Sequence, residues 1–174
     1  MKRFCFAFTR AERQEDAYNE VSQQLSKIKA CPKLIIFTTT SDYFWFFSTN
    51  LKKQFNDATI IGSSSSENFS SLGFADTGAS VMAIYSGIDV SSGILFEIHR
   101  HPRNYMVHLK RALSHFQSFE NTVCLAFMNS FSKGEELVLD TFACEFDKRN
   151  IPVIGCSAGI PDTSKPTLVS LDGI

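Results

Sequence analysis

Thr59-Ile60-Ile61-Gly62-Ser63-Ser64-Ser65 and Pro152-Val153-Ile154-Gly155-Cys156-Ser157-Ala158 follow one pattern. Each is a short apolar run that stops at a glycine and opens into small hydroxyl or thiol residues. A buried strand ends this way when its last residues must crowd close to something. The surroundings of the two phrases match in order. Tyr18, Val21, Leu25 and Ile28 form one helical stripe over 17–29, and Met106, Leu109, Leu113 and Phe116 form another over 105–116. Asp16 and Asn104 stand before them as expected N-caps. Buried strands are expected at 34–37 and 123–127. Helices follow at 43–55 (Phe47, Leu51, Phe55) and 134–148 (Val138, Phe142, Phe146). After each glycine phrase comes a last strand, at 80–85 and 167–171. Before each first helix lies an alternating strand, at 3–9 and 93–99.

This order predicts an α/β fold with mixed parallel and antiparallel sheet flanked by helices. It would be built from two similar β-α-β-α-β-β units, about 3–87 and 93–174, within one domain. Strand–helix–strand connections favour parallel pairing, and a last strand that follows without a helix favours antiparallel pairing. Whether the halves share one sheet or form two stays open, as does the oligomeric state.

Composition restricts the function classes. Hydrophobic residues make up 44% and charged residues 20%, so a packed core is expected. The net charge of −1 and the lack of a basic stripe argue against nucleic-acid binding. No apolar run approaches the roughly 18 residues that span a bilayer, so no membrane partner is expected. Five cysteines without a CxxC pair fit reduced thiols in the cytoplasm better than a disulfide frame or zinc site. The abrupt end at Leu171-Asp172-Gly173-Ile174 suggests a piece of something longer.

In α/β sheets ligands gather at the carboxyl ends of parallel strands. Four loops qualify, all rich in small polar groups. They contain Gly62, Ser63, Ser64 and Ser65; Gly155, Cys156, Ser157 and Ala158; Asn129, Ser130 and Lys133; and Thr38 to Asp42. Such residues also cap helices and make turns without any ligand. Lys133 is a lone cation suited to an anionic ligand. Glu135 and Glu136 suit the positive end of a helix dipole better than acid–base chemistry.

Gly155-Cys156-Ser157-Ala158-Gly159 fits G-x-S-x-G, the nucleophile elbow of serine hydrolases. That elbow needs a helix behind it, and Pro161 and Pro166 oppose one. No histidine follows His115. His99, His101, His108 and His115 lack supporting ligands for a metal. No cofactor, metal or catalytic residue is therefore expected. Two alternatives stay in view: an enzyme with Cys156 or Ser157 as nucleophile, and a protein-interaction module docking through the aromatic helix 43–55. The run Tyr43-Phe44-Trp45-Phe46-Phe47 covers almost all faces of that helix, which predicts burial on two sides.

Over nearly its whole length the chain resembles the N-terminal part of the FIST family, named for F-box and intracellular signal transduction proteins. The residues are Ile60 to Glu67, Leu72 to Gly78 before Val81, and Pro152 to Gly159 followed by Thr167-Leu168-Val169 and Asp172-Gly173. The resemblance implies a cytoplasmic sensory domain that binds a small ligand such as an amino acid. It also implies a downstream signalling module, and a C-terminal FIST half in a longer protein. Cys156 replaces a glycine more frequent in the family, and Ile160 stands where an acid is frequent, with Asp162 two places later.

Overall fold

The computed structural model describes residues 3–70, 73–96, 100, 105–130, 134–160 and 164–174. The chain divides into two compact units, Met1–Val90 with Gly159–Ile174, and Ser91–Ala158.

The first unit runs β1 (Phe4–Thr9), α1 (Gln14–Leu25), β2 (Leu34–Thr39), α2 (Ser41–Gln54), β3 (Thr59–Ser64), β4 (Asn68–Ser70), β5 (Gly73–Ala75) and β6 (Ala79–Ile84). Its sheet is completed by β9 (Val169–Leu171), in the order β1-β6-β2-β3-β9. β2 and β3 are parallel, with Phe37 opposite Gly62. β6 is antiparallel to both β1 and β2, as expected for a last strand reached without a helix. β4 and β5 form a separate hairpin.

Alternation along the strands sends Ala7, Ile35, Phe37, Ile60, Val81 and Ala83 to one face, where they are buried. The α1 stripe (Ala17, Val21, Leu25) and the α2 stripe (Phe44, Phe47, Leu51) cover that face and complete the core. At roughly 1.5–3 kcal/mol per fully buried large apolar side chain, this layer dominates the unit's stability.

The second unit runs α3 (Tyr105–Leu113), β7 (Cys124–Asn129), α4 (Glu135–Asp147) and β8 (Val153–Ala158). β7 and β8 form a parallel pair with Ala126 opposite Gly155. A smaller core gathers Leu113, Phe142, Phe146 and Ile151, with Cys124 and Val138 against it. Burial pushes the Cys124 thiol pKa up.

Four expectations are corrected. The strand predicted over 93–99 is absent at 93–96, and 97–99 lie outside the described residues. The last strand, expected to complete the second unit, instead pairs antiparallel with β3 of the first, Gly62 opposite Ser170. Its placement is fixed by polar contacts. The Asp172 carboxylate accepts from the Ile60 N–H at 2.9 Å and from Lys52 at 3.2 Å, and the Ser48 hydroxyl donates to Ser170 at 3.0 Å. Asp16 is not an N-cap. Helix α1 begins two residues earlier, with Arg13 at the cap position and Asp16 in the first turn, within 3.7 Å of Arg13; Asn104 lies outside the described residues. Helix α2 is not buried on two sides. Tyr43, Phe44 and Phe47 are buried and Phe46 packs against Tyr18, but Trp45 is 49% exposed.

Candidate functional site

The two glycine phrases are β3 and β8, and both glycines are sterically required. An added Cβ at Gly62 would lie 2.1 Å from ring carbons of Phe37. At Gly155 it would lie 1.8 Å from the Ala126 carbonyl oxygen on the neighbouring strand. Each glycine therefore permits a close approach between paired strands, by a ring in one case and by backbone in the other.

Beyond its glycine the first phrase is closed. The Ser64 hydroxyl donates to the Gly159 carbonyl and accepts from the Leu168 N–H, both at 2.9 Å. Its backbone is engaged by the same segment: Gly159 N–H donates to Ser64 O at 2.9 Å, and Ser64 N–H to Leu168 O at 2.8 Å. Ser63 is buried and donates to the Ser64 carbonyl. Ser65 N–H donates to Thr39 O, and the Ser65 hydroxyl donates to Glu67 O. Thr39 donates to Gly78 O at 2.6 Å, and Thr38 donates to Asn68 at 3.3 Å. These hydroxyls hold loops together, the alternative weighed against ligand binding.

The second phrase is open. Val153 through Ser157 are exposed, and only Ala158 is buried. Counted from the glycines, Ser157 occupies the position of Ser64. Its hydroxyl donates to the carboxylate of Glu135 in the first turn of α4. Gly134 at the N-cap supplies no side-chain bond to the α4 N-terminus. Ser130 donates to Ala158 O at 2.9 Å, tying the loop after β7 to the end of β8. Asn129 ends β7 and is half-buried. The polar groups brought together are thus Ser157, Glu135, Ser130 and the end of β7. Strand alternation places Cys156 on the opposite face from Ser157, so the two do not share one site. Lys133 lies outside the described residues.

The sequence offered Glu135 only as a residue suited to the helix dipole. Its role toward Ser157, 22 residues away, had no local signal. His108 and His115 are exposed on or just after α3, while His99, His101 and Asp162 lie outside the described residues. No group of three or more potential metal ligands occurs among the described residues. A shallow open depression of about 420 Å³ lined by Glu12, Arg13, Gln14, Glu15, Tyr43 and Phe46 includes none of the candidate residues. Among the described residues no helix is long and apolar enough to cross a membrane.

The pair of strands with a glycine inside them, β3 and β8, each parallel to a strand that precedes a helix, is accompanied by a family match. The FIST N domain profile matches residues 33–174. The chain belongs to the FIST family. FIST domains are sensory domains of signal transduction rather than a known enzyme family, and membership gives the chain a general sensory role. No curated protein matches the chain significantly.

Proposed function

We propose that this FIST domain is the ligand-binding input of an intracellular signalling protein, and that it takes an amino acid or related small polar metabolite at the open glycine phrase. The observation that supports this most is the contrast between equivalent serines. Ser64 is sealed by two hydrogen bonds to the segment 159–168, whereas Ser157 is exposed and faces the Glu135 carboxylate. Glu135 suits an ammonium group. The N–H groups at the start of α4 suit a carboxylate, while Ser157 and Ser130, whose protons are already donated, keep lone pairs that can accept from the ammonium. Gly155, on the same face as Ser157, supplies the floor of this site, and Lys133 would add charge for an anionic ligand. Gly62, Ser63, Ser64 and Ser65 serve as its structural counterpart, holding the first unit together.

Ligand binding would drive a downstream module only through different affinities for two states of the domain. Catalysis is the weaker reading. Ser157 donates to a carboxylate, which at neutral pH is a far weaker base than the imidazole a serine nucleophile needs.

Thermal unfolding of the protein against a panel of amino acids and small anions tests the proposal. A ligand at about 100 times its Kd stabilises by about 2.7 kcal/mol. That should raise Tm by roughly 5–10 °C for a chain of this size. Glu135→Gln should remove the effect for ligands carrying an amine. Stabilisation by none of them, or stabilisation unchanged in Glu135→Gln, contradicts the assignment.

A further inference from the structure

Strand β1 reads Phe4-Cys5-Phe6-Ala7-Phe8-Thr9, without charge, glycine or proline and with an aromatic ring at every second place. A strand of this composition readily adds a further strand where its backbone groups can be reached. Among the described residues β1 pairs with β6 alone and stands at the end of the sheet order β1-β6-β2-β3-β9. The ladder fixes which of its groups point outward. Arg3 O accepts from Tyr85 N–H at 2.8 Å, and antiparallel strands bond at alternate residues, so Cys5, Ala7 and Thr9 bond inward to β6. The N–H and C=O groups of Phe4, Phe6 and Phe8 point the other way.

At Phe8 this outer side is filled by a side chain of the same unit. Gln24 accepts from Phe8 N–H through Oε1 at 3.2 Å and donates through Nε2 to Phe8 O at 2.9 Å. These are the two bonds that a residue of a neighbouring strand would make. One helical turn earlier, the Glu20 carboxylate accepts from the Thr9 hydroxyl at 2.5 Å, and that hydroxyl accepts from Ala11 N–H at 3.1 Å. The placement follows from the helix. Ala17, Val21 and Leu25 form the buried stripe of α1, and Glu20 and Gln24 each precede a stripe residue by one place, so they flank it together beside β1.

We propose that Gln24 is a guard on this edge: its amide stands in for a strand and denies Phe8 to the β1 of a second copy. The strand itself determines the occupant that is excluded. Antiparallel self-pairing about Phe6 brings Phe4 opposite Phe8 and Phe6 opposite Phe6, which makes aromatic cross-strand pairs around a two-fold axis. The outward groups would then bond in three places: Phe4 with Phe8 of the second copy, Phe6 with Phe6, and Phe8 with Phe4. Gln24 on Phe8 of each copy removes the first and the last. Only the Phe6 pair is left, too little to hold two copies together.

Sedimentation equilibrium of the full chain, wild type against Gln24→Ala, tests this. The variant should associate at least about tenfold more tightly than the wild type. Gln24→Met, which keeps the length of the side chain without its amide, should do the same and serves if Gln24→Ala fails to fold. Gln24→Glu keeps an acceptor for the Phe8 N–H and adds a charge at the edge, so it should associate no more than the wild type. Phe6→Lys in the Gln24→Ala background should abolish the gain. Ser64→Ala weakens the same unit away from this edge and should leave association at the wild-type level. Hydrogen exchange should find the Phe8 amide protected in the wild type, and at least about tenfold faster in monomeric Gln24→Ala, with Ala7 and Thr9 unchanged. Wild-type association in both Gln24→Ala and Gln24→Met overturns the inference. So does a gain that Ser64→Ala shares, a gain that survives Phe6→Lys, or a Phe8 amide unprotected in the wild type.

Discussion

The Gly62→Ala substitution asks whether the first glycine phrase is a packing device. The added methyl would sit 2.1 Å from Phe37 ring carbons. Carbon atoms in contact prefer about 3.5–4.0 Å, so the ring must retreat by about 1.5 Å. Behind it lies Phe44, with ring centroids 5.6 Å apart, and both rings are fully buried. Overpacking of such a core costs about 1–3 kcal/mol, and the rigid aromatic neighbours place this site at the upper end, about 3 kcal/mol. For a chain of this length that lowers Tm by roughly 6–12 °C. The clash has one identifiable partner, so Phe37→Leu in the same molecule should relieve it. A double-mutant cycle by urea unfolding should then show a favourable coupling of at least about 1 kcal/mol. A Gly62→Ala protein within about 0.5 kcal/mol of wild type, or strict additivity with Phe37→Leu, refutes the reasoning.

Other outcomes follow from the same geometry. Ser64→Ala leaves the Gly159 carbonyl and the Leu168 N–H without their buried partner and should cost about 1–3 kcal/mol by chemical unfolding; Ser157→Ala, at an exposed site, should stay within about 0.5 kcal/mol. Burial raises the phenol pKa of Tyr18 and of Tyr85 to about 12, so ultraviolet titration should find both protonated well above pH 10. Because these folded values exceed the unfolded one, the associated stability is present below pH 10 and declines as pH rises toward about 12. The hydrogen bond from Arg149 holds the Glu145 carboxyl below the usual carboxylate range, helped by the Lys148 charge. That stability is present above the unfolded carboxylate pKa and is lost as pH falls through the folded one. The Tm gap between wild type and Arg149→Gln should therefore shrink on acidification below about pH 4.

Much of the fold was legible in the sequence because it rests on local periodicity. The α1 stripe and the apolar runs of β2, β3 and β7 declare themselves over a few residues, and the glycines mark strand contacts that the register confirms. What was not legible is non-local or weakly patterned. The hairpin 68–75 uses strands of three residues made of Asn, Ser and Gly among its aromatics, too short to show alternation. The return of 169–171 to the first sheet depends on Ser48, Lys52 and Asp172, spread over 120 residues. The difference between Ser64 and Ser157 had no sequence signal. Both follow a glycine and a small residue at the end of an apolar run, and only the hydrogen bonds that Ser64 makes with Gly159 and Leu168 set it apart from Ser157.

Amide chemical-shift mapping of the isotope-labelled protein with the most stabilising amino acid tests the central claim most directly. The account predicts perturbations concentrated at 155–158 and at the start of α4, at 135–137, with 62–65 nearly unmoved. Perturbations centred on 62–65, or spread evenly over both phrases, would contradict it.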